Sequence, residues 1–240
     1  MGNNLLVIVV VLGFAAVAGL FVALTVRDAG GWRKKLDNIL LPIGFQRCEA
    51  EPEKAALAQR LRIVNPRHQG KRIVMHHYRR AAPGADFTVH VCDYDFGSAS
   101  GETQGGNWLL VVLVSPALDL PRLSIDKLPA ESGMASRLMR SLADTLEMPG
   151  MVRMSCGTPD LDRQFHLYAE DGQTTSPALL PLLHELSVST ADASLDTCGD
   201  TLVLCSIPML ADRVRQVLDT QKLLGLVHLA ERLHQALPRH

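Results

Sequence analysis

Apolar and polar residues change their spacing three times along the chain. Residues 5–26 are apolar on every face of a helix and contain no charged side chain. Residues 71–80, 87–96 and 107–116 have the length and composition of strands, and a segment rich in glycine and serine between the last two predicts a hairpin. Residues 209–236 repeat apolar side chains at helical spacing. The pattern predicts a hydrophobic helix, a mainly antiparallel sheet and a long C-terminal helix.

The first of these segments predicts a transmembrane helix. Its length of 22 residues corresponds to about 33 Å of helix, against a hydrocarbon thickness of about 30 Å. A cleaved signal peptide is the main alternative, because Ala16-Val17-Ala18 has the small-residue form of a cleavage site. However, no side-chain positive charge precedes the apolar run, and the run continues to Val26. A buried core helix is a third interpretation, which the terminal position disfavours.

The charges around residues 5–26 predict the orientation of the helix. No basic side chain precedes it, whereas four follow it closely. The positive-inside rule then places the N-terminus outside and the C-terminal part in the cytoplasm. Five cysteines without a C-x-x-C pair are typical of a reducing compartment, which agrees with this orientation. The membrane-proximal basic residues are Arg27, Arg33, Lys34 and Lys35.

The rest of the chain predicts a single α+β domain, so the predicted fold class is α+β with one N-terminal transmembrane helix. Residues 27–52 form a basic juxtamembrane segment, and residues 53–240 form a cytoplasmic domain with a mainly antiparallel sheet. Further helices are predicted at 53–61, 132–147 and 177–186, further strands at 151–156 and 163–170, and a tight hairpin at 194–206.

Charge is divided unevenly between the two parts of the chain. Residues 27–80 contain 13 Lys and Arg against 5 Asp and Glu, and residues 81–240 contain 11 against 20. A basic stretch beside a bilayer attracts anionic lipid headgroups by about 1 kcal/mol per well-placed charge. Neutralisation inside one folded domain explains the division equally well. The expected partners are the lipid bilayer with its anionic headgroups and a protein, whereas no recognised nucleic-acid module is present.

Small residues in the predicted membrane helix suggest self-association. Ala15, Gly19 and Ala23 are four positions apart, so they form a stripe along one face. Such a stripe allows two helices to approach closely in a bilayer. A homodimer through this helix is therefore one expected assembly.

The polar stretch VHVCDYDFGSASGETQGG, residues 89–106, resembles a fragment of an active site. Asp93 and Asp95 alternate along a strand, so we expect both to point to solvent. The positions that a calcium loop requires hold other residues, no kinase motif accompanies Asp95-Phe96-Gly97, and the glycines lack P-loop spacing. The alternation shifts by one after Val91, which predicts a bulge. This stretch therefore predicts a strand and its turn, with no catalytic, metal or cofactor-binding residue.

Two adjacent histidines, His76 and His77, invite a metal hypothesis. Neighbouring residues on a strand point to opposite faces, so the two rings cannot easily bind one ion. No H-E-x-x-H motif or zinc-like Cys/His spacing is present. We expect structural or surface histidines.

Several short motifs resemble a loose group of uncharacterised bacterial single-pass membrane-anchored proteins. These motifs are a D-Y-x-[YF] strand at Asp93–Phe96, an LdLPxf segment within residues 110–125 and a gdxLl hairpin at Gly199–Leu204. The segment has Leu123 where the group has an aromatic residue, and Cys205 replaces the aromatic expected after Leu204. The resemblance implies one recurring domain at the bacterial inner membrane and carries over no activity.

Three hypotheses for function follow from the sequence. The first is a non-catalytic cytoplasmic domain that binds a protein partner or the membrane surface. The second is an enzyme of unrecognised type that uses Asp93 and Asp95 at the inner face of the membrane. The third is an extracytoplasmic binding domain, which applies if the orientation is reversed.

Overall fold

The computed structural model describes residues 31–64, 72–81, 84, 86–96, 107–128, 148, 150–171, 179–189, 193–206 and 219–237. The chain divides into two units, Met1–Gly44 and Phe45–His240. In the first unit, helix α1 occupies residues 31–40 and continues into a 3-10 helix at Leu41–Ile43. Gly44 ends it with a φ of 87°, and its N–H donates to the Leu41 carbonyl over 3.1 Å.

The predicted fold class needs one correction. The sequence predicted an N-terminal transmembrane helix, but no helix in the described part of the chain is long and apolar enough to cross a membrane. The longest described helices are amphipathic, because each buries one face and leaves charged side chains on the other. Residues 5–26 lie outside the described residues. The fold class is therefore corrected to an α+β fold with a nine-stranded antiparallel sheet.

The sheet belongs to the second unit, and every pair of neighbouring strands is antiparallel. The strand order is β1-β2-β3-β4-β9-β8-β5-β7-β6. The strands are β1 Gln46–Arg47, β2 Arg72–Ala81, β3 Thr88–Phe96, β4 Asn107–Val114, β5 Leu120–Lys127, β6 Val152–Met154, β7 Phe165–Ala169, β8 Ala193–Gly199 and β9 Thr201–Ser206.

Within the described residues, four helices of this unit accompany the sheet. They are α2 Glu51–Val64, α3 Pro159–Gln164, α4 Leu179–Val188 and α5 Thr220–Ala236. Asp219 caps α5, because its carboxylate accepts the N–H groups of Gln221 and Lys222. The predicted helix at 132–147 lies outside the described residues, as does most of the N-terminal part of the predicted helix at 209–236.

The two faces of the sheet are covered by different helices. On one face, Leu57, Leu61 and Val64 of α2 form a core with apolar residues of β2, β3, β4 and β9. On the other face, α5 packs against β4 and β9 and also contacts α4. The α5 helix buries seven residues, which include Leu226 and Leu233, whereas α2 buries four.

The irregularity in the β2–β3 pair lies in a different strand from the predicted one. The sequence predicted a bulge after Val91 in β3, but β3 pairs with β4 without interruption from Thr88 to Asp95. The register shifts in β2 instead, between Val74 and His76. The apparent change of alternation in β3 has another cause: β3 is buried on both faces, with Val91 and Cys92 on opposite sides.

Candidate functional site

Histidines of β2 and β3 form two polar pairs, one on each face of the sheet. The extra residue in β2 is Met75, since Val74 pairs with Tyr94 and His76 pairs with Asp93. This bulge places His77, instead of His76, on the same face as Val74. His76 therefore lies on the α5 face and His77 on the α2 face.

The pair on the α5 face joins an imidazole to a buried carboxylate. Nδ1 of His76 lies 3.1 Å from Oδ2 of Asp93. Only 1% of the Asp93 side chain is exposed, compared with 20% of His76. The prediction that Asp93 points to solvent is therefore wrong, because its face of β3 is covered. The side chain of Asp95 lies outside the described part of the structure.

The pair on the α2 face joins two imidazoles. Nε2 of His77 lies 2.9 Å from Nδ1 of His90, and the rings stack with centroids 5.1 Å apart. Nδ1 of His77 is buried and has no hydrogen-bond partner among the described residues. Because a buried N–H without an acceptor is costly, the proton of His77 belongs on Nε2, which then donates to Nδ1 of His90.

Burial keeps both rings of this pair neutral. It is the main cause that lowers the pKa of His77, where Glu53 opposes the shift and Arg79 and Lys54 add to it. Burial also lowers the pKa of His90 to about 3, with help from His77, Arg79 and Arg60. Both imidazoles are therefore uncharged at neutral pH.

Ion pairs surround the His77–His90 pair on the α2 face. Arg60 of α2 donates to Asp200 in the β8–β9 turn, and to the Thr201 hydroxyl over 2.7 Å. Arg79 of β2 lies 3.9 Å from Glu53 of α2. These contacts connect α2 to both the edge and the centre of the sheet.

The outer edge of β2 is only partly covered. The two residues of β1 pair with Tyr78 and Arg79, and the Cys48 N–H then donates to the His77 carbonyl over 2.8 Å. Within the described part of the chain, no strand pairs with Arg72–His76 on that side. This stretch therefore presents a free backbone edge.

A second polar layer lies further along the α2 face, on β5, β7 and β8. Ser124 pairs with Asp196 on one side and with Tyr168 on the other, and all three are buried. In the part of the chain that the structure describes, the Ser124 hydroxyl has no hydrogen-bond partner. No sequence pattern indicated this layer, because serine and aspartate within a strand pattern usually indicate the solvent face.

The cysteine thiols stay protonated at neutral pH. Burial is the main cause that raises the pKa of Cys92 and Cys205 well above the usual range, and it raises that of Cys156 to about 12. All five cysteines are free. Because the thiolate is the nucleophilic form, burial disfavours nucleophilic reactivity of these thiols.

The site residues predicted from the sequence are only partly described. Arg33, Lys34 and Lys35 lie on α1, where Lys34 and Lys35 are exposed and Arg33 is half-buried. Among the described residues, no group of three or more His, Cys, Asp or Glu side chains has the arrangement to hold a metal ion. Four further predicted positions lie outside the described residues, namely Ala15, Gly19, Ala23 and Arg27.

The sequence patterns indicated His76, His77 and Asp93 as candidates, but they predicted neither the pairing of His76 with Asp93 nor that of His77 with His90. The separation of the two histidines onto opposite faces follows from strand geometry and is confirmed. Their pairing with Asp93 and His90 depends on the register of β2 against β3, which the bulge sets.

Comparison of the chain with protein-family models, with curated proteins and with solved structures finds no match.

Proposed function

We propose that the sheet domain is a non-catalytic binding module whose partner is another protein, captured as an extended segment on the outer edge of β2. The observation that carries the proposal is that β1 covers two residues of the ten-residue strand β2. The predicted cytoplasmic location, the inner-membrane association and the self-association stay predictions, and the proposal does not depend on them.

The alternation of the ladder identifies the backbone groups available at this edge. The His77 carbonyl accepts the N–H of Cys48, which directly follows β1. The N–H and C=O of His77 therefore point away from β3. Following the pairing through the bulge, Val74 and Arg72 also turn their N–H and C=O groups outward. An added strand would pair with these groups, as in β-strand addition by other peptide-binding domains.

The charge of β2 favours an acidic segment. The strand contains three arginines and two histidines but no acidic residue. Arg80 pairs with Glu231, and Arg79 lies beside Glu53, so both have acidic neighbours within the domain. The sequence of the open stretch begins with a third arginine, Arg72. A strand with glutamate or aspartate at alternate positions would complement this edge.

The test compares two substitutions at Arg72 in the full-length chain. Arg72→Ala removes the charge and keeps the outward N–H, whereas Arg72→Pro removes both, at a first strand position that tolerates proline. The probe is a fluorescent peptide of alternating threonine and glutamate, and its threonine–lysine counterpart is the control peptide. We expect the acidic peptide to bind, and we expect Arg72→Ala to lower its affinity. Arg72→Pro should lower the affinity about tenfold further, because it also removes one backbone hydrogen bond.

Other results would count against strand addition. Equal binding by the proline and alanine variants would show that the backbone edge is not used. Phosphatidylserine vesicles form the second arm of the experiment. One outcome would point to the lipid surface instead: the chain binds these vesicles but not the acidic peptide, and both variants lose the same amount of affinity for the vesicles.

A second candidate function, an enzyme, is favoured by the His76–Asp93 pair. A buried carboxylate that accepts the Nδ1–H of a histidine fixes the ring and leaves Nε2 to accept a proton, as in general-base catalysis. The corresponding reaction is hydrolysis, in which Nε2 takes a proton from water while the water oxygen attacks an ester carbonyl. Turnover of p-nitrophenyl acetate that falls to background in both His76→Gln and Asp93→Asn would support it. Turnover that is unchanged in both variants would exclude this role.

A further inference from the structure

The helix α2 and the His77–His90 pair lie on the same face of the sheet. Leu57 and Leu61 of α2 belong to one core with Val74 and Cys92, which flank the two histidines along β2 and β3. Three α2 side chains, Glu53, Lys54 and Arg60, act electrostatically on the pair. The pair therefore lies on the surface that α2 covers, with His77 buried and His90 half-buried.

Positive charge predominates around the pair. The cations are Lys54 and Arg60 of α2 and Arg79 of β2. The anions are Glu53, which lies beside Arg79, and Asp200 of the β8–β9 turn, which Arg60 engages. Cys48, after β1, is a neutral thiol whose pKa is raised, first by burial. A proton added to His90 would thus meet like charges, whereas Glu53 partly offsets them at His77.

The hydrogen bond between the rings tolerates at most one added proton. His77 donates through Nε2, and His90 accepts through Nδ1. If both rings are protonated, two N–H groups face each other over 2.9 Å, and neither has an acceptor. The doubly protonated pair therefore needs water, which reaches it when α2 moves away.

We propose that protonation of the His77–His90 pair releases α2 from the sheet, so that acid opens this face of the domain. The inference concerns regulation of the fold and stands independently of the proposed function at the β2 edge.

The direction of the pH dependence follows from linkage. In the closed state, burial lowers the pKa of His77, and that of His90 falls to about 3. With α2 released, both histidines regain their ordinary pKa of about 6.5. The open state then binds more protons, so the closed state is fully stable above pH 6.5 and loses stability as the pH falls through the window down to about 3.

The test is hydrogen exchange of the full-length chain measured by mass spectrometry at pH 6.5 and pH 4.5, corrected for intrinsic rates. Between these pH values, His90 alone should raise the opening equilibrium constant of α2 about 50-fold. Helix α4, whose one histidine, His184, is exposed, is the internal reference, and its exchange should change much less. An equal increase in α2 and α4 would indicate global unfolding and overturn the proposal.

The matched control is a double variant, His77→Gln with His90→Asn. The glutamine amide replaces the Nε2–H donor and the asparagine oxygen replaces the Nδ1 acceptor, so the hydrogen bond is kept while neither residue titrates. We expect the corrected exchange of α2 to lose most of its pH dependence. If the double variant fails to fold, His90→Asn alone should remove the contribution of His90. A pH response as steep as that of the wild type in the folded variant would overturn the proposal.

Discussion

His76 and His77 are adjacent in the sequence, yet they belong to faces of the sheet with different chemistry. On the α5 face, His76 contacts a carboxylate that is almost completely buried. On the α2 face, His77 contacts another imidazole and lies near charged side chains of both signs, Glu53, Arg79 and Lys54. The position of one extra residue in β2 decides which histidine receives which partner. The comparison teaches that the chemistry of a strand residue depends on register as much as on identity.

The helices that cover the two faces provide the largest test of this comparison. Leu233 of α5 is completely buried, and Leu61 of α2 is nearly so. Truncating either leucine to alanine should lower the free energy of unfolding by about 2 to 5 kcal/mol. We expect Leu233→Ala near the upper limit and Leu61→Ala near the lower one, because α5 contacts both the central strands and α4.

Urea unfolding monitored by circular dichroism at neutral pH measures both variants. Leu57→Ala, at another buried position of α2, is the control for the α2 face. If Leu61→Ala lowers the free energy of unfolding more than Leu233→Ala does, the α2 face contributes more to stability than the α5 face, contrary to this prediction.

The polar pairs give an intermediate effect. Asp93→Asn keeps the shape but removes the charge that accepts from His76, so it should cost about 1 to 3 kcal/mol. His90→Asn keeps an acceptor for His77 and should cost less at pH 7. The same unfolding experiment compares them, with Asp93→Ala as a control for loss of shape as well as charge. Equal costs would mean that the carboxylate has no special role on the α5 face.

The ion pairs of the two helices give the smallest effect. Arg80 pairs with Glu231 of α5 and lies over the Phe45 ring at 4.7 Å, whereas the pair between Arg60 and Asp200 is more exposed. We expect Arg80→Ala to cost about 1 kcal/mol and Arg60→Ala about half of that.

High salt should reduce the effect of Arg60→Ala more than that of Arg80→Ala, since exposed charges are screened more strongly. Arg80→Lys keeps the charge and separates the contribution of the guanidinium group over the ring. A salt response that is the same for both alanine variants would contradict this difference in burial.

Much of the sheet follows from local sequence signals. Periodicity predicted β2, β3 and β4, and Gly199-Asp200 predicted the β8–β9 hairpin, where Gly199 has a φ of 55°. Strand β5 was not predicted, because Pro121 and the charged residues Arg122, Asp126 and Lys127 interrupt its apolar pattern. Helix α3 was missed because six residues, capped by Thr158, carry too little periodicity.

The candidate site was less predictable than the fold. Val74, Met75 and His76 all suit a strand, so the sequence contains no signal for the extra residue between Val74 and His76. Asp93 was expected in solvent, because the alternation of residues does not reveal whether both faces of a strand are covered. The pairing of His77 with His90 depends on residues 13 positions apart and on the register between them. Such pairings need the tertiary structure.

The position of β9 between β4 and β8 has a consequence for synthesis on the ribosome. Strand β4 contains the apolar run WLLVVLV, and its second neighbour begins only at Thr201. At a translation rate of about 5 to 20 residues per second, several seconds pass before β9 is synthesised and can pair with this edge of β4. During that time the nascent chain exposes an aggregation-prone strand, so its yield in the cell should depend on chaperones that bind extended apolar segments.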